Sequence, residues 1–226
     1  AVLYGELVGY VPAINELLEK NCGGKSTNDY FNFDITSFPI KPPEKEQGFS
    51  RYLQADENTT VDEWGVGWKR GSYLHYFSIL HPLEGADFRT IEEYPFPDLD
   101  QEYRYSDAVE KVREIHEKGL AAAFFAGSIF ETAWFMRGMD QLFVDIMTEP
   151  KSADLLLDRI TDIVAAAAFF IARAGTDLLI LGDDIAMQTG MLMSLDMWRA
   201  VFKPRLKRVI EAARKANPDI FVFYHS

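Results

Sequence analysis

With a single cysteine, Cys22, the sequence can build neither a disulfide framework nor a multi-cysteine metal site within itself. Such thiol scarcity suits a reducing cytoplasm, and that location is the expectation. Basic residues are also few: 23 Lys and Arg stand against 35 Asp and Glu, for a net charge of −12. Without a basic stripe to neutralise phosphates, no nucleic acid and no anionic membrane surface is expected as a partner. Long apolar runs are missing too. The most apolar window, residues 163–171, is far short of the roughly 20 residues a membrane span needs, and the first residues resemble no charged-then-apolar signal sequence. The sequence also has no phosphate-cradling Gly-rich loop, no Gly-x-Ser-x-Gly elbow, no His-Glu-x-x-His and no Cys-x-x-Cys. Nucleotide-dependent chemistry, serine hydrolysis and a self-contained zinc site are thereby disfavoured.

What is present is ordinary globular material. Hydrophobic residues fill 48% of 226 positions, enough for one sizeable core, so residues 1–226 read as a single domain. Residues 1–101 read as an extension, a first strand and a long connection; residues 102–226 read as regular βα units. The chain opens on Ala1 and stops at Ser226 directly after an apparent strand, and is expected to be the N-terminal part of a longer one.

In the first part, residues 11–20 suggest a short helix. Residues 30–35 alternate large apolar with polar side chains, as a half-buried strand does. Between residues 51 and 79, Trp64, Val66 and Trp68 recur at period two, which predicts a β-hairpin-like excursion. Pro82, Pro95 and Pro97 then make residues 81–101 irregular. In the second part, residues 103–117 place Ala108, Val109, Val112 and Ile115 on one helical face, with Gly119 as the C-cap glycine. Residues 120–126 are a continuous apolar run of strand length, closed by Gly127. Ser128 and Glu131 have capping-box spacing for a helix through Met136, and a second short helix covers residues 139–147. Pro150 opens a long helix ending near Gly175. Residues 177–181 form the next buried strand, Ser194 caps a helix bent near Pro204, and residues 220–224 form the last strand.

Apolar strands separated by helices imply right-handed parallel βα units, in an open sheet or a barrel. In either, working residues gather just past the strand C-termini. Three such edges are visible: Ser128 with Glu131 and Trp134; Asp183 with Asp184; and Tyr224 with His225. Adjacent acids at a buried strand end must pair, share a proton or face a cation; alternatively one caps a loop and the other sits in solvent. His225 could ligate a metal or shuttle a proton, or be a packed histidine. Glu131 is an acid candidate that its capping-box spacing also explains, and Arg137 could meet a carboxylate. Trp64, Trp68 and His75 could line a pocket mouth or form a plain hydrophobic face. His81 and His116 read as surface or loop histidines.

Several motifs, in order, resemble the uroporphyrinogen decarboxylase superfamily. They are Asp62-Glu63-Trp64-Gly65-Val66-Gly67-Trp68, His81-Pro82-Leu83 before Tyr94-Pro95-Phe96-Pro97-Asp98, Arg137-Gly138-Met139, Gly182-Asp183-Asp184-Ile185, and Phe202-Lys203-Pro204 before Tyr224-His225-Ser226. They look most like its decarboxylase-like and corrinoid-linked methyltransferase branch. The resemblance implies an α/β fold, the (β/α)8 TIM barrel, of which these residues would cover roughly the first half. It implies an enzyme that moves a methyl group between a small methylated substrate or thiol and a corrinoid protein. In that branch a His-x-Cys motif after a barrel strand, with a later cysteine, holds zinc; His225-Ser226 would begin that motif, making His225 a zinc ligand. Asp183, Asp184 and Tyr224 are then the expected catalytic residues, and Glu131, Trp134 and Arg137 the substrate-binding ones. True decarboxylases of tetrapyrroles, which need no cofactor, carry an Arg-Gln-Ala-Gly-Arg element that residues 1–60 lack; that activity is the alternative, and a non-catalytic barrel binding a corrinoid or tetrapyrrole is a third.

Overall fold

The computed structural model describes residues 12–25, 30–45, 48–70 and 77–226. In chain order the elements begin with α1 (Pro12–Asn21), β1 (Ile35–Ser37), β2 (Thr59–Val61), β3 (Gly67–Arg70), β4 (Phe77–Leu80) and α2 (Phe88–Glu92). A 3-10 turn (Glu102–Tyr105) leads to α3 (Ala108–Glu117), β5 (Ala121–Ser128), α4 (Phe130–Arg137), α5 (Met139–Thr148) and α6 (Pro150–Arg173). Then come β6 (Leu178–Gly182), a small hairpin of β7 (Ala186–Met187) and β8 (Gly190–Met191), α7 (Leu195–Met197), a π-helical turn (Trp198–Phe202), α8 (Lys203–Ala216) and β9 (Phe221–His225).

The apolar runs become parallel strands because each is followed by an amphipathic helix that folds back over one sheet face. The sheet order is β1-β5-β6-β9. Each new strand adds to the same side as the last, without the reversal that defines an open doubly wound sheet. The two faces differ sharply. Ala122, Phe124, Leu179 and Leu181 join the helix side chains in one large core, whereas Ile35, Ala123 and Ile180 cluster only with other strand residues. On that second face Phe125, Phe223 and Phe221 remain 51%, 42% and 74% exposed. Sequential order and helices on one face are the arrangement of a segment of (β/α)-barrel wall.

One irregularity matters for the site. Phe125 pairs with Ile180, but the next paired residue of β5 is Gly127, opposite Leu181, so Ala126 is an extra residue in the ladder. Gly127, expected to close the strand, instead continues it at φ 125°, a bulge conformation that glycine accepts without strain.

Several local readings are confirmed. The amide of Gly119, at φ 74°, donates to His116 and that of Leu120 to Ile115, the paired bonds of a Schellman end. Ser194 caps α7 by accepting from the amide of Met197, and Leu156, Ile160 and Ile163 of α6 are buried. The excursion is a three-stranded antiparallel sheet, β2-β3-β4. Other readings are corrected. The first strand is Ile35–Ser37, while residues 30–31 are helical; Tyr30 and Phe31 stack edge to face near the surface. Val109 is exposed at 65% while Ala108, Val112 and Ile115 are buried, because adjacent helical residues point about 100° apart. Trp64 and Val66 lie in a turn, not a strand. That turn is organised by Asp62, whose Oδ1 accepts from the amides of Trp64 and Val66 and whose Oδ2 accepts from the Trp68 indole at 2.7 Å.

The turn is locked to the rest of the chain. Gly65 has φ 76°, and an added Cβ would lie 2.1 Å from the Tyr94 hydroxyl oxygen, which donates to the carbonyl of Trp64. Arg104, 1% exposed, donates to both oxygens of Glu63 at 2.9 Å and to Asp98 at 2.5 Å. Residues 62–68 and 94–98 thus form one interlocked unit.

Candidate functional site

The C-terminal ends of β5, β6 and β9 bring together all three sequence-marked edges. At the centre is Asp183, 3% exposed. Its Oδ1 accepts from the amides of Phe130 at 2.7 Å and Glu131 at 3.1 Å. These are the first free N–H groups of α4, so the carboxyl group caps a helix from the neighbouring strand. This replaces the capping-box expectation. Ser128 lies at the end of β5 and its hydroxyl donates to Glu131 Oε2 at 3.0 Å, while Ile129, at the helix start, gives no side-chain cap.

Two influences oppose each other at Asp183. Burial raises its pKa most strongly, and the nearby Glu131 carboxylate adds to this; the amide hydrogen bonds pull it down. Burial wins, and the group is pushed up to about 7. Since Oδ1 already accepts two amide hydrogens, the proton it takes up near neutrality is carried on Oδ2.

Gly182 makes the crowding possible. It is paired with Ser128 on one side and His225 on the other; an added Cβ would lie 2.8 Å from Ser128 Oγ and 3.3 Å from Glu131 Oε2. Any side chain there would displace the hydroxyl and the carboxylate. Tyr224 is half-buried in the helix-side core. Its phenol is held neutral, with its pKa raised by burial and then by Asp183 and Glu131, while a hydrogen bond from the Trp198 side chain works the other way. Trp198 went unmarked as a site residue in the sequence, where it reads as one more apolar helix position. Its π-helical turn, a geometry common at functional sites, had no signal beyond the nearby Pro204.

Asp184 and His225 sit at the same edge but outside the buried cluster. Their side chains are 58% and 64% exposed, and His225 Nδ1 lies 3.0 Å from Asp184 Oδ1. The aspartates have therefore separated into a buried helix cap and an exposed partner of the imidazole.

A family model described as Uroporphyrinogen decarboxylase (URO-D) matches residues 78–226. The chain belongs to the uroporphyrinogen decarboxylase superfamily. No curated protein gives a significant match. The matched segment contains the whole strand-end cluster, with Glu131, Trp134, Arg137, Asp183, Asp184, Tyr224 and His225.

The remaining expected residues of this superfamily member are placed as follows. Trp134 is half-buried against Phe135, with ring centroids 4.1 Å apart. Arg137, at the far end of α4, is 4% exposed. It does meet a carboxylate, but the chain's own: Nε donates to Asp145 at 2.8 Å, and Nη1 to the carbonyls of Leu83 and Ala86. Its donors join α4 to the connection before α2. Trp68 packs edge-on against Phe135 at 5.0 Å, and His75 lies outside the described residues. His116 pairs with Asp177 at 2.7 Å. Among the described residues no group of three or more His, Cys, Asp or Glu side chains is arranged to hold a metal ion, and no helix is long and apolar enough to cross a membrane.

The donor chemistry at His225 nonetheless fits a metal ligand. Asp184 stands 3.0 Å from Nδ1, which leaves Nε2 for coordination. His225 would be one ligand of such a site, with Asp184 as its orienting partner.

Proposed function

We propose that the protein is a methyltransferase-like enzyme of its superfamily, transferring a methyl group between a small methylated substrate or thiol and a corrinoid carried by a partner protein, with zinc held through His225. The observation that carries this reading is the His225 imidazole next to Asp184, beside a buried carboxyl group whose pKa burial raises to about 7. Zinc, when bound, lowers the pKa of a thiol it ligates, so that sulfur can act as the methyl acceptor.

The chain's own groups divide the remaining work. Asp183 exchanges a proton on Oδ2 near pH 7, as loss of a proton from an incoming thiol requires. Tyr224 stays a neutral donor beside it. Trp134 offers an aromatic surface, and Glu131, tied to Ser128, holds its carboxyl group close to Asp183 and Tyr224. Arg137 supports the helix that carries them.

The alternative, decarboxylation of a tetrapyrrole, is less well supported by the same edge. Glu131 and Asp184 would repel a substrate bearing several carboxylates, and the buried Arg104, Arg137 and Arg205 are engaged by the protein's own acids. The test uses the full chain: zinc content by mass spectrometry, and demethylation of methylcobalamin with a panel of thiols. Zinc and activity are expected in the wild type, with both lost in His225→Ala and zinc weakened in Asp184→Asn. Equal zinc in His225→Ala removes the ligand assignment, and uroporphyrinogen turnover by metal-free protein establishes the decarboxylase instead.

A further inference from the structure

At the opposite end of α4 from Asp183, the turn after β4 brings two unused side chains together. The Glu84 amide donates to the carbonyl of His81 at 3.2 Å, closing a four-residue turn whose first and last residues are neighbours. The His81 ring is fixed in place. Its Nδ1 lies 2.7 Å from the carbonyl oxygen of Phe135. A carbonyl can only accept, so Nδ1 carries the hydrogen and, in the neutral ring, Nε2 carries the lone pair. Gly138 backs the ring, with space for an added Cβ only 3.6 Å from Cδ2.

Neither Nε2 of His81 nor the Glu84 carboxylate has a partner among the described residues. Both line an open cleft of about 390 Å3, together with Tyr52, Gln54 and the apolar side chains of Leu53, Ile79 and Leu80. The lining exposes more polar than apolar surface, and the volume is at the small end for a small-molecule site. Two of the polar groups are acceptors, one of them anionic, and no Lys or Arg lines the cleft. The nearby Arg51 lies outside the lining, over the Tyr52 ring at 5.6 Å, with Glu93 3.8 Å away.

We propose that this cleft binds a small ammonium-bearing ligand, its N–H groups donating to His81 Nε2 and Glu84 and its short apolar body lying on Leu53 and Ile79. The site is independent of the strand-end chemistry. Butylammonium titrated into the full chain, with 1-butanol and butyrate as matched compounds, tests it through the NMR signals of the histidine ring nitrogens. His81 should show hydrogen on Nδ1, and butylammonium should shift its Nε2 signal saturably, while butyrate does not. Loss of a charge-assisted bond in Glu84→Gln should weaken binding about tenfold, and His225→Ala should leave it unchanged. Equal shifts with butyrate, no saturation, or unaltered binding in Glu84→Gln would overturn the proposal. So would His81-dependent binding of Zn2+ alone with no response to butylammonium.

Discussion

Replacing Asp183 with asparagine isolates the energetic consequence of a buried acid. Burial pushes the Asp183 carboxyl group up to about 7 in the folded chain, against 3.8 for a free aspartate, so the folded state keeps a proton that the unfolded state releases. Stability from this group is full below the lower value, falls as pH rises through the interval, and is flat above about 7. A gap of about 3 pH units at about 1.4 kcal/mol each is about 4 kcal/mol in all, of which about 3 kcal/mol falls between about pH 5 and pH 8.5. Asparagine has similar size and its carbonyl oxygen can still accept from the amides of Phe130 and Glu131, but it does not titrate. Urea denaturation of both proteins at the two pH values therefore reads the difference directly, since every other titrating group is common to both. Relative to wild type, Asp183→Asn should gain about 3 kcal/mol on going from pH 5 to 8.5, with unchanged m-values. Parallel stability curves for the two proteins would show that Asp183 is ionised throughout and that the helix-end amides outweigh burial.

Three further outcomes follow from the packing. Arg137→Met leaves Asp145 buried without its cation, with the Gln141 amide still donating to it, and should cost about 3 kcal/mol in chemical denaturation; adding Asp145→Leu should recover part of it, and an additive double variant would contradict the pairing. Gly65→Ala should cost more than about 2 kcal/mol, from positive φ and the Tyr94 hydroxyl together. Tyr94→Phe should relieve some of that in a double-mutant cycle, and zero coupling would deny the contact. Gly182→Ala should break the Ser128–Glu131 bond and lower the unfolding free energy in urea denaturation by about 1 to 3 kcal/mol; an unchanged free energy would mean the Glu131 side chain moves aside freely.

How much of this was legible in the sequence depended on the range of the interaction. Residues 120–126 and 177–181 were readable as strands because a continuous apolar run needs burial on both faces, and Gly119 was readable because a helix end is a local event. Residues 30–35 were misplaced because period-two alternation over six positions does not distinguish a short strand from a turn of helix with aromatic neighbours. At the site, Asp183 and Asp184 were recognisable as a pair, but their division of labour was not. Asp183 answers to amides more than fifty residues away, and no local pattern encodes that. Ser128 and Glu131 showed the opposite failure, since their spacing matched a local motif whose place in the structure is taken by a more distant side chain.

The additional residue at the Phe125–Gly127 bulge has a consequence for how this edge can change. Removing Ala126 would leave every pair between β5 and β6 as it is, Phe125 still opposite Ile180 and Gly127 still opposite Leu181, but would take away the bend that the extra residue introduces. Ser128 and the first amides of α4 reach Gly182 and Asp183 just after that bend. The extra residue therefore sets the angle at which the helix start meets the Asp183 carboxyl group, and not which residue it meets.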